Sequence, residues 1–278
     1  MIIKSYSKIN FSLKINSKSN SGFHEIQSLY SWIDLADIIK IKKIKKNKDK
    51  VVFNGPFSKL VNKRNNSVNK ILKQLRQAKL ITNYYSVIVT KNIPVFGGLG
   101  GGTSNAAFIL KHLIKSKIKE NLLNKIESLI GSDFKLFFKK NGFLNDLSTI
   151  IELKKRQIFY LVLVQPKVKC STKEIYSKVK KFSKKKKFDK SLTKSKSRFL
   201  EYLVKSRNDL QSIVENKYPI IRKLLIDIKN EKGCYFSRMT GSGSVCYGLF
   251  DHKIIAKKAL NKLKKKYPKF WISLAKTV

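Results

Sequence analysis

The sequence predicts an α+β protein in two lobes that meet near residue 150. Three observations carry this. Short apolar and β-branched runs alternate with stretches of helical periodicity. The early strands follow one another closely enough to form a meander. Past residue 150 the pattern of strands and helices starts again.

Residues 1–15, "MIIKSYSKINFSLKI", alternate as a strand, with no signal-peptide h-region and no Arg-rich transit character. "IQSLYSWIDLADIIKIKKI" (26–44) reads as two further strands, "KKNKDK" (45–50) as a charged loop and "VVF" (51–53) as a return to the sheet. "NNSVNKILKQLRQA" (65–78) has helical spacing, with Asn65 or Asn66 as N-cap. "YYSVIVTKNI" (84–93) is a β-branched strand. A glycine loop follows, then a helix over 103–116 opened by Thr103 and Ser104. Another helix over 121–130 is broken by Gly131.

In the second half, "FYLVLVQP" (159–166) is a strand, and the Lys-rich 177–199 is a mobile surface loop. "FLEYLVKSRNDLQSIV" and "YPIIRKLLIDIKN" are paired helices. "CYFSRMTGSGSVCYGLF" (234–250) is strand, glycine turn, strand. A basic helix (252–266) and a final strand close the chain. The expected domains are 1–150 and 151–278.

Composition bounds the function. The 278 residues are 42% hydrophobic, enough for a substantial core, and no apolar run approaches membrane-span length. Cys170, Cys234 and Cys246 are far apart, without metal or redox spacing, and read as reduced thiols of a cytoplasmic protein. Lys+Arg number 61 against 17 Asp+Glu, a net charge of +44. Such a field suits nucleic acid, but lysine is spread through nearly every segment and arginine, the better base reader, is scarce. Compositional drift is the simpler account, and no specific nucleic-acid or membrane partner is expected.

The most informative stretch is "PVFGGLGGGTSNAA" (94–107), with glycines at 97, 98, 100, 101 and 102 between a strand and a helix. Lacking Cβ atoms, such a backbone approaches a ligand closely and converges amides on an anion, and the helix start adds unpaired amides. A polyphosphate site is implied. Thr103 stands where a P-loop requires Lys and where a dinucleotide fingerprint requires its third glycine, so neither motif fits.

"PVFGGLGGGTSNAA" resembles the central ATP-binding motif of the GHMP kinases, the superfamily of galactokinase, homoserine kinase and mevalonate kinase. "YSKINFSLKI" (6–15), "GFHEIQSLY" (22–30), "GSDFKLFF" (131–138) and "RMTGSGSVCYGLF" (238–250) resemble, in order, further motifs of the branch whose acceptor is a cytidine diphosphate sugar alcohol of non-mevalonate isoprenoid synthesis. The resemblance implies a two-lobed GHMP kinase fold, with an ATP-binding N-terminal lobe, a C-terminal α/β lobe and the active site in the cleft. It implies ATP and Mg²⁺ as cofactors, the cytidine compound as the other small-molecule partner, and a monomer or weak homodimer. Homoserine- or mevalonate-type kinases are the alternatives, and a basic nucleic-acid-binding protein on such a scaffold is a more distant one.

Residue by residue, the resemblance implies Asp133 as catalytic base and Lys8 as its partner. On sequence alone, Asp133 is equally a helix N-cap. Pro94, Val95, Phe96, Gly97, Gly98, Leu99, Gly100, Gly101, Gly102, Thr103 and Ser104 would hold ATP, with Gly241, Gly243, Asn66 and Lys91. Ser104 could reach a metal, although no acidic metal cluster is evident. Asn10, Phe23, His24, Tyr30, Thr172 and Tyr176 would bind the acceptor, His24 and the aromatics around its cytosine; core packing accounts equally well for Tyr30. Two features depart from the family. Phe134-Lys135 replace a Val-Pro pair, and "NGFLNDLSTII" (141–151) lacks the usual Gly-x-Gly-Glu.

Overall fold

In the computed structural model, residues 1–18, 24–116, 118–146, 149–153 and 157–278 are described. In chain order the strands and helices are β1 (Ile2–Asn10), β2 (Lys14–Lys18), β3 (His24–Ile44), β4 (Lys50–Asn54), α1 (Ser67–Gln77), β5 (Tyr84–Thr90), α2 (Gly101–Leu113), α3 (Glu120–Ile130), β6 (Asn141–Leu144) and β7 (Ile150–Glu152). Then come β8 (Tyr160–Gln165), α4 (Thr172–Ser177), α5 (Lys196–Lys205), α6 (Gln211–Lys217), α7 (Pro219–Lys229), β9 (Phe236–Met239), β10 (Cys246–Phe250), α8 (Lys253–Lys266) and β11 (Trp271–Lys276). The chain forms two compact units, each discontinuous in sequence.

The first unit comprises Met1–Lys8, Leu35–Val95 and Gly100–Lys139. Here the C-terminal half of β3 pairs antiparallel with β5, and β5 pairs parallel with β4 through the α1 crossover. Val68, Ile71, Leu72 and Leu75 of α1 recur at helical spacing and are all buried. Asn66 caps this helix, its side chain accepting from the Asn69 amide at 2.9 Å. Helix α1 packs on α2, which also carries the short 3-10 turn Phe134–Phe138.

The second unit comprises Ile9–Asp34, Phe96–Leu99 and Lys140–Val278. The N-terminal half of β3 pairs with β2 and β6, and β6 with β7. A separate antiparallel sheet runs in the order β11-β8-β10-β9. Leu161 to Val164 of β8 are fully buried, as a central strand requires. Helix α7 packs on β9 and β10, and α8 on β8 and β11; Ala256 and Ala259 let α8 approach closely.

Several elements differ from the sequence reading. Residues 26–44, read as two strands, lie in one 21-residue strand, His24–Ile44. Within this strand each aspartate carboxylate accepts backbone amides: Asp34 from Lys276, Asp37 from Asn92 and Ile93. The N-terminal strand breaks after Asn10 and resumes at Lys14. Helix α2 begins at Gly101, because Gly100 at φ 70° supplies a left-handed N-cap unavailable to most residues. Thr103 and Ser104 therefore lie within the helix.

Residues 178–189 contain no helix or strand, but this lysine-rich tract is fastened down. Ser183 donates its amide to the Ile15 carbonyl at 2.7 Å. Gln27 receives the Lys186 amide at 2.9 Å and donates to the Lys186 carbonyl at 2.8 Å. Phe188 is buried and stacks on Phe143 at 4.7 Å.

Candidate active site

In the first unit, Lys8 on β1 is 1% exposed and pairs with Asp133, Nζ to Oδ2, at 3.0 Å. Asp133 precedes the 3-10 turn but makes no capping hydrogen bond, so its carboxylate serves the lysine and not the helix. The turn is held by burial of Phe134, Leu136 and Phe137 and by Lys111, which donates to the Phe137 carbonyl at 3.2 Å. Asp133 retains 30% side-chain exposure, so a solute can reach it. A Cβ on Gly100 would lie 3.3 Å from Lys8 Cε and 2.8 Å from Phe137 Cζ. The start of α2 thus sits directly against the stem of the paired lysine.

That helix start has the general features that favour an anion. The first amides of a helix have no intrahelical acceptor, and the axis presents partial positive charge there. Gly102 is exposed and Thr103 half-exposed. Ser104 is fully buried, its hydroxyl sharing a hydrogen bond with Ser5 Oγ at 2.7 Å and donating to the Tyr6 carbonyl at 2.5 Å. It anchors α2 to β1. Asn66 likewise spends its amide on capping α1 and on the Asn62 and Lys63 carbonyls. Lys91, 3% exposed, is ion-paired with the fully buried Asp37.

In the second unit the first half of the glycine loop meets the second glycine motif. The Ser244 amide donates to the Phe96 carbonyl at 3.0 Å and the Val245 amide to the Gly97 carbonyl at 3.3 Å. Gly98, at φ 70°, lies so close to Thr240 that a Cβ would fall 2.2 Å from its carbonyl oxygen. Gly241 and Gly243 take φ values of 54° and 84° in the turn. Asn208 secures that turn by donating to the Met239 and Gly241 carbonyls, both at 2.8 Å.

Asn10, 2% exposed, donates its side-chain amide to Ser28 Oγ at 2.8 Å and its backbone amide to Thr240 Oγ1 at 3.0 Å. Thr172 and Ser242 hydroxyls bond at 2.9 Å. His24 is flanked by Tyr176 at 5.2 Å and Phe182 at 6.4 Å between ring centroids. Burial, and then the charge of Lys18, lower the His24 pKa below its ordinary value. A neutral imidazole beside two aromatic rings offers one donor and one acceptor to a flat heterocycle.

A full-length relative, the 4-diphosphocytidyl-2-C-methyl-D-erythritol kinase of Pelagibacter ubique (strain HTCC1062), is 38% identical over 99% of this chain and 98% of its own. The chain belongs to the 4-diphosphocytidyl-2-C-methyl-D-erythritol kinases. A second member of the family, from Wolbachia pipientis wMel, is 33% identical over 97% of this chain and 96% of its own. The model of the GHMP kinases C terminal matches residues 189–269. Among solved structures, a 4-(cytidine 5'-diphospho)-2C-methyl-D-erythritol kinase superposes with a TM-score of 0.74 at 20% identity, covering 99% of both chains. A homoserine kinase from Cytophaga hutchinsonii gives 0.65 at 16%, covering 98% of this chain and 94% of its own. The fold is that of the GHMP kinases.

Against this family pattern, the structure brings together Lys8, Asp133 and Gly100 in the first unit. In the second it brings together Asn10 with Thr240, Thr172 with Ser242, and His24 with Tyr176. Tyr30 is fully buried against β6, and burial followed by the Glu152 charge raises its phenol pKa. Phe23 lies outside the described residues. Phe182, Asp37 and Asn208 escape sequence reasoning. Phe182 is an aromatic inside a lysine tract, a detectable signal; Asp37 and Asn208 carry none, because their partners lie far along the chain. The family departures pack inward or sideways. Phe134 is fully buried, and Lys135 pairs with Glu127 at 3.5 Å and donates to Asn124 Oδ1 at 2.7 Å.

Proposed function

We propose that this protein transfers the γ-phosphoryl group of ATP to the 2-hydroxyl of 4-diphosphocytidyl-2-C-methyl-D-erythritol, in non-mevalonate isoprenoid synthesis. The observation that carries the reading is the Lys8–Asp133 pair set against Gly100, at the start of the helix that follows the glycine loop. Full-length relatives of that name support the choice of acceptor.

Phosphoryl transfer to an alcohol asks a protein mainly for positioning and charge stabilisation. Asp133 takes the proton of the acceptor hydroxyl as its oxygen bonds to the γ-phosphorus, and the β–γ bridging oxygen leaves with ADP. Lys8 keeps the carboxylate ionised and aimed. Residues 94–104, with Gly241 and Gly243, cradle the triphosphate. The close approaches at Gly98, Gly100 and Gly101, where any Cβ would collide, fit a site lined by main chain.

Mg²⁺, when bound, offsets phosphate charge. The metal would be carried chiefly by the triphosphate, as Mg²⁺ commonly is in kinases. Ser104 keeps its hydroxyl inside the fold, which leaves Thr103 as the half-exposed hydroxyl of the same turn. Asn66 and Lys91 act from behind the nucleotide site, through their own buried partners. His24, Tyr176, Thr172 and Phe23 hold the cytidine end, with Phe182 added to them. Asn10 and Tyr30 shape the floor.

We read residues 1–150 as the ATP-binding domain and 151–278 as the C-terminal domain, within which the family model falls. No described helix is long and apolar enough to cross a membrane. The small-molecule substrates and the three buried free thiols suit a cytoplasmic enzyme, acting as a monomer or weak homodimer without nucleic acid.

A coupled ADP-release assay tests the reading. Turnover is expected with the cytidylyl acceptor and not with homoserine or mevalonate. Turnover with either of those alone, or none with any of the three, refutes it.

A further inference from the structure

We propose that Asp37 is a positioning residue for the phosphate site, acting through Lys91 and Ile93 on the first residue of α2. The inference rests on the nucleotide reading above and deepens it.

Asp37 is fully buried, and the Lys91 side chain paired with it is 4% exposed. A buried ion pair seldom stabilises a fold more than apolar residues of the same volume would. Stability alone therefore does not account for the pair, and the neighbouring contacts point to another role. One Asp37 oxygen bonds the Lys91 ammonium. The other accepts the Asn92 amide at 2.8 Å and the Ile93 amide at 2.9 Å. The Asn92 side chain adds a bond to the Ala36 carbonyl at 3.1 Å. One carboxylate thus holds three successive residues, and the next is Pro94, where the nucleotide loop begins.

The two side chains held in this way form the floor beneath α2. A Cβ on Gly101 would lie 2.9 Å from Ile93 Cγ2 and 3.3 Å from Lys91 Nζ. The Lys91 backbone is fixed as well, its amide donating to the Asn54 carbonyl at 2.8 Å and its carbonyl accepting from Phe57 at 3.3 Å. The floor is therefore rigid, and Gly101 rests on it with no side chain between. Where Gly101 sits decides where the first free amides of α2 point. The Lys91 ammonium adds positive charge behind those amides without touching a ligand. Asp37 sets both the height of the floor and the place of that charge.

The test compares wild type, Asp37→Asn and the double variant Asp37→Asn with Lys91→Met, by steady-state kinetics in both substrates and by thermal melting. Asp37→Asn keeps the shape of the side chain and loses its charge; the double variant also removes the ammonium left unpaired. The KM for ATP is expected to rise about tenfold or more in both, because small misplacements at a reacting centre cost large factors. The KM for the acceptor should stay within about twofold in both. The double variant should regain melting temperature over the single one and not regain ATP affinity, a separation that a merely structural role would not produce. If the single variant does not fold, the double variant decides. A folded variant with wild-type KM for ATP, or with both KM values rising together, overturns the proposal. Failure of the underlying nucleotide reading looks different, since wild type itself would then show no ATP turnover.

Discussion

Replacing Gly98 by alanine places a methyl carbon 2.2 Å from the Thr240 carbonyl oxygen and 3.2 Å from the Gly243 amide nitrogen. The backbone there has φ 70°, which costs an L-residue roughly 1–2 kcal/mol. Both neighbours are main chain, so no side chain can rotate away, and relief of such overpacking typically costs about 1–3 kcal/mol. The sum is about 2–5 kcal/mol. With an unfolding entropy near 2.1 cal/mol/K per residue, this chain loses roughly 0.6 kcal/mol per kelvin, so the melting temperature should fall by about 3–8 °C. The control is Gly102→Ala. There the nearest atom is Ser67 Oγ at an ordinary 3.5 Å and the residue is helical, so a change of about +0.4 to +1 kcal/mol is expected. Differential scanning fluorimetry on the two variants reads the contrast directly, and the KM for ATP should rise in Gly98→Ala. Equal melting temperatures, or a Gly98→Ala protein within about a degree of wild type, would refute the claim that main chain meets main chain at this point.

Other measurements probe other parts of the site. Asp133→Asn should lower kcat by about 10²–10⁴ with little change in the KM for ATP; full activity in the coupled assay would remove Asp133 from the chemistry. His24→Ala should raise the KM for the cytidylyl acceptor and leave that for ATP alone, so a rise in both would place the histidine elsewhere. Because the His24 pKa is lowered, its imidazole stays neutral to lower pH than an ordinary histidine. Acceptor KM should accordingly hold steady as pH falls to 6.5 and rise only below it; a rise centred above 6.5 would reverse the sign argued here. Burial pushes the Cys170 and Cys234 thiols up to about 11 and raises Cys246 well above its ordinary value. Native protein should thus react slowly with a thiol reagent and release three equivalents only on denaturation, whereas rapid native labelling would contradict their burial.

Much of this protein is legible along the chain because the controlling interactions are local. The spacing of Val68, Ile71, Leu72 and Leu75 makes α1 a helix wherever it lands, and Asn66 caps it from one residue away. The glycines at 97–102 announce a backbone that must approach something closely, whatever that partner is. Other features depend on groups that sequence cannot bring together. Asp133 reads equally as N-cap or base until Lys8, from the opposite end of the unit's chain, takes its carboxylate. The single long β3 in place of two strands carries Asp37 and Asp34, whose carboxylates are satisfied by amides at 92, 93 and 276, far along the chain. Ser104 passes from candidate ligand to buried anchor because Ser5 and Tyr6 lie against it. Periodicity and backbone freedom are properties of neighbours in sequence. A buried polar group must find its partner in space, and only the tertiary structure decides which one it finds.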